Sequence, residues 1–354
     1  MTRHLTQIGK YISYSDTSKQ FKAMFDGQGH KVELTLNREN SSYIGLFGYV
    51  GANSLVCNVG VGGSVSGGSF VGGVVGWNYG TVSNCYNTGE VSVSRSKVGG
   101  VVGENCSMVR NCYNTGNVSG GGLSSGGVSG TSYIGGLVGL NRETVNSGYN
   151  MGRVEGGNYV GGVAGLSNST SELNNCYNVG IIKGLSSNVG DIVGLIDPGV
   201  TVINCYYLTG TATKGVGSGT DTTTSKTEAE MKEASFIEDL NSGLTKLMFA
   251  KDDWGLNGGL PVLLEVTYLK PVGKASIGGR ANQNIVLRMN SGGITQVIHG
   301  ILNIQAKPGY KLDGVLQSGK LMDLSKGGWS TTKDGATCSG QEPGRCTVLF
   351  KKDE

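Results

Sequence analysis

Proline, histidine and charge are all scarce in this chain. It has five prolines in 354 residues and no strict Gly-X-Y period, which excludes a collagen-like fibre. The three histidines, His4, His30 and His299, never fall into an HExxH pattern, and the eight cysteines form no C-x2-C pairs. A zinc site and metalloprotease chemistry within this chain are therefore not expected, nor is any metal or other cofactor. Charged residues make up 16% of the chain and the net charge is +3, so no basic surface for nucleic acid or anionic lipid is indicated. No apolar run approaches the ~18 residues of a membrane span, so no membrane insertion is expected. The opening MTRHLTQIGK lacks the apolar core of a signal peptide.

What the chain has in excess is glycine, 63 residues of it, and the glycine keeps a beat. YIGLFG at 43–48 is followed by VGGVVG at 71–76 and 98–103, IGGLVG at 134–139, VGGVAG at 160–165 and VGDIVG at 189–194. The closing glycines, from Gly48 to Gly194, are 28, 27, 36, 26 and 29 residues apart. The long interval contains a Gly/Ser insertion, GGGLSSGGVSGTS at 120–132, of the kind that goes to a loop on one side of a repeat array. A second motif runs in phase: NCYNTG at 84–89 and 111–116, NCYNVG at 175–180, NCYYLT at 204–209. Cys57, Cys85, Cys112, Cys176 and Cys205 each follow a glycine motif at a near-constant distance, and Gly148 of SGYN stands where the fourth repeat should have its cysteine.

Each unit consists of short Val/Ile/Tyr/Thr stretches separated by Gly and Asn, with no helical period, which is strand and turn chemistry. A single unit cannot bury its apolar face, whereas stacked units can. The expected architecture is all-β: a parallel, right-handed β-solenoid (β-helix) of about six coils over 39–210. At roughly 4.8 Å per coil the body would be on the order of 30 Å long.

The phased pair VGGVVG and NCYNTG resembles the GLUG motif of bacterial surface proteins. FKAMFDGQGHKVELTL at 21–36 resembles the strand leading into such arrays. The resemblance covers roughly residues 5–266. It implies an adhesin-like protein, or the non-catalytic region of an immunoglobulin A metalloprotease. It also implies a secreted or cell-surface location, with this chain part of a longer one. Residues 1–38 are expected to be an incomplete lead-in and 211–268 a helix–turn–strand cap. The cap has Thr227 as N-cap, an apolar stripe through Met231, Ile237 and Leu240, and Trp254 and Pro261 as seals. Residues 269–354 lose the glycine beat and read as a small β domain, with AKPGYKLDGV at 306–315 similar to bacterial surface-protein repeats.

No residue is expected to be catalytic. Five equivalent cysteines argue against one special nucleophile, so they are read as an inward-facing ladder of small buried side chains. Gly148 would then leave a local void. Cys338 and Cys346 flank a turn-forming stretch and could close a hairpin with a disulfide. Tyr86, Tyr113, Tyr149 and Tyr177, one per coil, have two open readings: an exposed stripe contacting ligand, or stacking that supports the coils. The leading expectation is a non-enzymatic stalk or adhesion surface for host or matrix glycan or protein. The alternatives are the accessory region of a larger surface metalloprotease and a glycan-active β-helix enzyme. The enzyme would draw on Asp26, Glu143 or Glu155, although Asp26 also reads as a turn cap.

Overall fold

The computed structural model describes residues 7–11, 18–120 and 132–242, apart from 169, 186 and 213, and C-terminal to these the backbone of strands between 254 and 352. Two compact units divide at Met231/Lys232, inside the segment expected as the cap.

The first unit is a parallel β-solenoid of about six turns. One side is a seven-stranded parallel sheet whose outermost members are Phe47–Val50 and Val216–Ser218, each coil contributing one strand. The other sides form a larger parallel sheet, again one coil per rung. Alternation puts every second side chain of a strand inside. In-register stacking then aligns like with like: Val56, Val82, Val109, Val145, Leu173 and Val202 form one interior column. Val65, Val91, Val118, Val154 and Ile182 form another, and all are buried. Each such side chain contributes about 1.5–3 kcal/mol on burial, which no isolated coil could collect.

The corners account for the first asparagine of each NCYN. Asn84, Asn111, Asn175 and Asn204 all lie at φ between 50° and 54°, as do Ser147 of SGYN at 53° and, in the first coil, Asn58 at 55°. This is the left-handed region that Asn tolerates better than most residues.

Beyond the last rung, Thr227 and Glu230 form a reciprocal capping box. Glu230 N donates to Thr227 Oγ1 (3.3 Å) and Thr227 N donates to Glu230 Oε2 (2.7 Å). The helix predicted over 227–243 is shorter than expected. α1 spans only Glu228–Met231, and Glu233 is extended (φ −77°, ψ 148°). The second unit resumes with α2, Ala234–Asn241, whose Phe236 and Leu240 are buried. Trp254–Leu256 and Pro261–Leu263 then pair as an antiparallel hairpin, followed by a five-stranded and a four-stranded sheet. The strands ending at Cys338 and starting at Cys346 belong to different sheets and do not pair. Their side chains, and the insertion at 121–131, lie outside the described residues.

Candidate functional site

The repeat motifs put chemistry-bearing side chains in columns along the solenoid, and those columns are where a site could form. Cys85, Cys112, Cys176 and Cys205 occupy one column and are almost fully buried. Each thiol donates to the carbonyl two residues before it, at 3.1–3.4 Å. Burial pushes the Cys85 and Cys176 thiols far above their usual range, so they remain protonated and unreactive at neutral pH.

Cys57 is not in this column. It pairs in register with Ser83, and the counterpart of Cys85 is Val59. The reason is a longer corner: four residues separate Val50 from Leu55, whereas two separate the matching Asn78 and Thr81. Cys57 is nevertheless buried, and burial raises its pKa to about 12.

Nor is there a void at Gly148. A Cβ there would lie 2.5 Å from Leu137 Cδ1, so the leucine fills the space that a cysteine takes elsewhere. The other coils carry Val74, Val101, Val163 and Ile192 at the Leu137 position. Gly148→Cys alone should therefore overpack and cost about 1–3 kcal/mol. Leu137→Val combined with Gly148→Cys should recover most of that loss, as measured by urea denaturation.

The four tyrosines form a pile. Ring centroids of Tyr86, Tyr113, Tyr149 and Tyr177 follow one another at 4.9, 4.9 and 5.2 Å, with interplanar angles of 3°, 1° and 7°. Tyr177 is fully buried and Tyr149 is 5% exposed, so no continuous exposed stripe exists. The pile begins over Gly60, where a Cβ would collide with the Tyr86 ring.

The second asparagine of NCYN makes a buried ladder that the sequence reading missed. Nδ2 of Asn87 donates to Oδ1 of Asn114, that of Asn114 to Asn150, and that of Asn150 to Asn178, each at 2.8 Å. Each Nδ2 also donates to the carbonyl two residues on, as Asn114 does to Gly116 (2.8 Å). The middle glycine of VGGVVG makes room for it: a Cβ on Gly73, Gly100, Gly136 or Gly162 would lie 2.4–2.7 Å from the facing Asn side chain. Both partners change together at the ends. The first coil has Leu46 and Val61 in their place, and the sixth has Asp191 and Tyr207.

Asp191 thus brings a carboxylate from the opposite side of the coil to end the ladder. Its Oδ1 accepts from Asn178 Nδ2 (3.3 Å) and its Oδ2 from Thr211 Oγ1 (2.9 Å). Asp191 is fully buried, and burial raises its pKa from 3.8 to about 6. A raised carboxyl pKa means that the fold prefers the protonated form. The associated stability is complete below about pH 4 and is lost as pH rises through 6, by about 2–3 kcal/mol. Wild-type protein should lose that much relative to Asp191→Asn between pH 4 and 7 in denaturant titrations.

A second ladder, Asn78–Asn105–Asn141, runs along the seven-stranded sheet at 2.9 Å per step. Beside it Glu104, 3% exposed, holds Lys97 Nζ at 2.8 Å and Arg142 Nε at 2.6 Å. Cys106 adjoins this ion pair. Burial first, then the Glu104 charge, raises its thiol to about 11. Asp26 Oδ1 accepts from Gln28 N (2.9 Å) and Asn58 Nδ2 (3.0 Å), which is the turn-capping role. Glu155 pairs with Arg153. No group of three or more His, Cys, Asp or Glu among the described residues is placed to hold a metal. No helix among them is long and apolar enough to cross a membrane.

The fold is that of a parallel β-solenoid, and within it two repeats, residues 67–93 and 94–119, match the model of the GLUG motif. A crystal structure from Bacteroides ovatus, of a candidate immunoglobulin A1 protease, shares the fold at a TM-score of 0.51 and 24% identity. The match covers 68% of this chain and 76% of that one. No curated protein matches the chain.

Proposed function

We propose that this chain is a non-catalytic solenoid segment of a secreted or cell-surface bacterial protein, serving as a rigid stalk or adhesion surface for glycan or protein. The observation that carries this reading is how the repeat spends its reactive side chains. The cysteines are buried inside the coils, and the asparagines and most of the tyrosine surface turn onto the neighbouring coil, in hydrogen bonds and ring stacks that build length and stiffness. The candidate-protease name of the Bacteroides ovatus protein favours a second reading, the accessory region of a larger surface protease.

The test is to expose the purified chain to arrays of host glycans and matrix proteins and to analyse a polysaccharide panel for products. Retention without product is expected. Oligosaccharide release would overturn the non-catalytic reading in favour of a glycan-active enzyme.

A further inference from the structure

The outward face of the strands around Val65, Val91, Val118 and Val154 carries a shallow polar depression across successive coils, lined by Glu90, Ser92, Asn117, Ser119, Arg153 and Glu155 among others. Register explains it. With the valines pointing inward, the residues on either side of each point outward. One outward column reads Glu90, Asn117, Arg153, and the next reads Ser92, Ser119, Glu155. Short side chains in the middle make the floor, and long ones, Glu90 on one side and the Arg153–Glu155 pair on the other, make the walls.

We propose that this depression binds a neutral, hydroxyl-rich oligosaccharide. The inference rests on the adhesion reading above and assigns it a place. Hydroxyl, amide and carboxylate groups repeat at about 4.8 Å between coils and about 6.6 Å along a strand, a grid of donors and acceptors suited to a polyhydroxylated ligand. The floor offers no aromatic or apolar anchor, since Val118 is 1% exposed, so an apolar peptide finds no pocket. An anionic sugar is disfavoured because Arg153 is already paired with Glu155, and among the described residues Glu90 has no cationic partner. Glu90, Asn117 and Ser119 are exposed, so substitutions there leave the interior columns intact.

Neutral hexose oligosaccharides and their sialylated or sulfated counterparts would be titrated into the isotope-labelled chain, following backbone and Asn side-chain amides by NMR. Shifts are expected at 90–92, 117–119 and 153–155 with the neutral ligands and not with the anionic ones. Glu90→Gln should weaken binding about tenfold, by replacing a charge-assisted hydrogen bond with a neutral one. Ser92→Gln with Ser119→Gln, which fills the floor without changing charge, should abolish it. Binding that maps elsewhere, survives the filled floor or prefers anionic sugars would overturn the assignment and leave the adhesion reading standing. If only proteins are retained on the arrays, the assignment also fails while adhesion holds. If neither glycan nor protein is retained, both fall.

Discussion

Replacing Asn114 with alanine should cost on the order of 3–5 kcal/mol, a large effect for one uncharged side chain. Asn114 is fully buried in the middle of the ladder. Its Oδ1 accepts from Asn87, and its Nδ2 donates both to Asn150 Oδ1 and to Gly116 O. Alanine leaves Asn87, Asn150 and Gly116 each short of a partner in an interior where water does not reach, and opens a cavity facing Gly100. Unmet buried polar groups cost about 1–3 kcal/mol each. Exposed Asn117, three residues on, is the control: its alanine variant should stay within about 0.5 kcal/mol of wild type. Because each coil touches only its neighbours, the damage should be local. Hydrogen exchange should show lost protection in the coils around 87, 114 and 150 before the outer coils change. Equal loss of protection along the whole solenoid would mean that the ladder does not hold the coils pairwise.

The ladder also shows what was legible in the sequence. The period could be read by comparing like strings, and the alternation of strands with Gly/Asn turns could be read directly because it depends on one coil alone. The second asparagine is equally visible but reads as one more turn residue, since its function depends on the neighbouring coil. A signal did exist. Where VGGVVG becomes VGDIVG, with Asp191 at the middle glycine, the same coil's NCYN becomes NCYY, with Tyr207 at the second asparagine. The Cys57 assignment failed for a related reason. Distance from the glycine motif is a good guide only while corner length is constant, and the first coil has two extra corner residues. For the tyrosines the sequence leaves both readings open, because one per coil is compatible with any outward column. Their spacing of about 5 Å, fixed by the rung separation, favours ring-on-ring stacking over display. The polar depression had no chemical signal in the sequence: its residues share positions in GEVS (89–92), GNVS (116–119) and GRVE (152–155), but their side-chain types differ from coil to coil.

The Lys97–Glu104 pair interrupts two otherwise apolar columns, and this sets up the second large effect. In register, Trp77, Glu104, Leu140 and Leu166 form one column, and Phe70, Lys97, Tyr133 and Tyr159 the other. Coil three thus carries a lysine and a glutamate where the next coil carries Tyr133 and Leu140. Glu104→Ala should cost on the order of 3 kcal/mol, because it strands Lys97, whose side chain is only 16% exposed, against Phe70 without its carboxylate. Arg142, 45% exposed, can turn to water and adds little. The pair as a whole is a different matter. Desolvating two charges offsets most of their attraction, so an apolar replacement of matching shape is often neutral or better. Lys97→Tyr with Glu104→Leu copies the next coil and should match or exceed wild-type stability, although Glu104→Ala is strongly destabilised. Urea midpoints of wild type, the alanine variant and the double variant decide it. A double variant as unstable as Glu104→Ala would show that the ion pair itself, and not the filling of the column, holds this side of the solenoid.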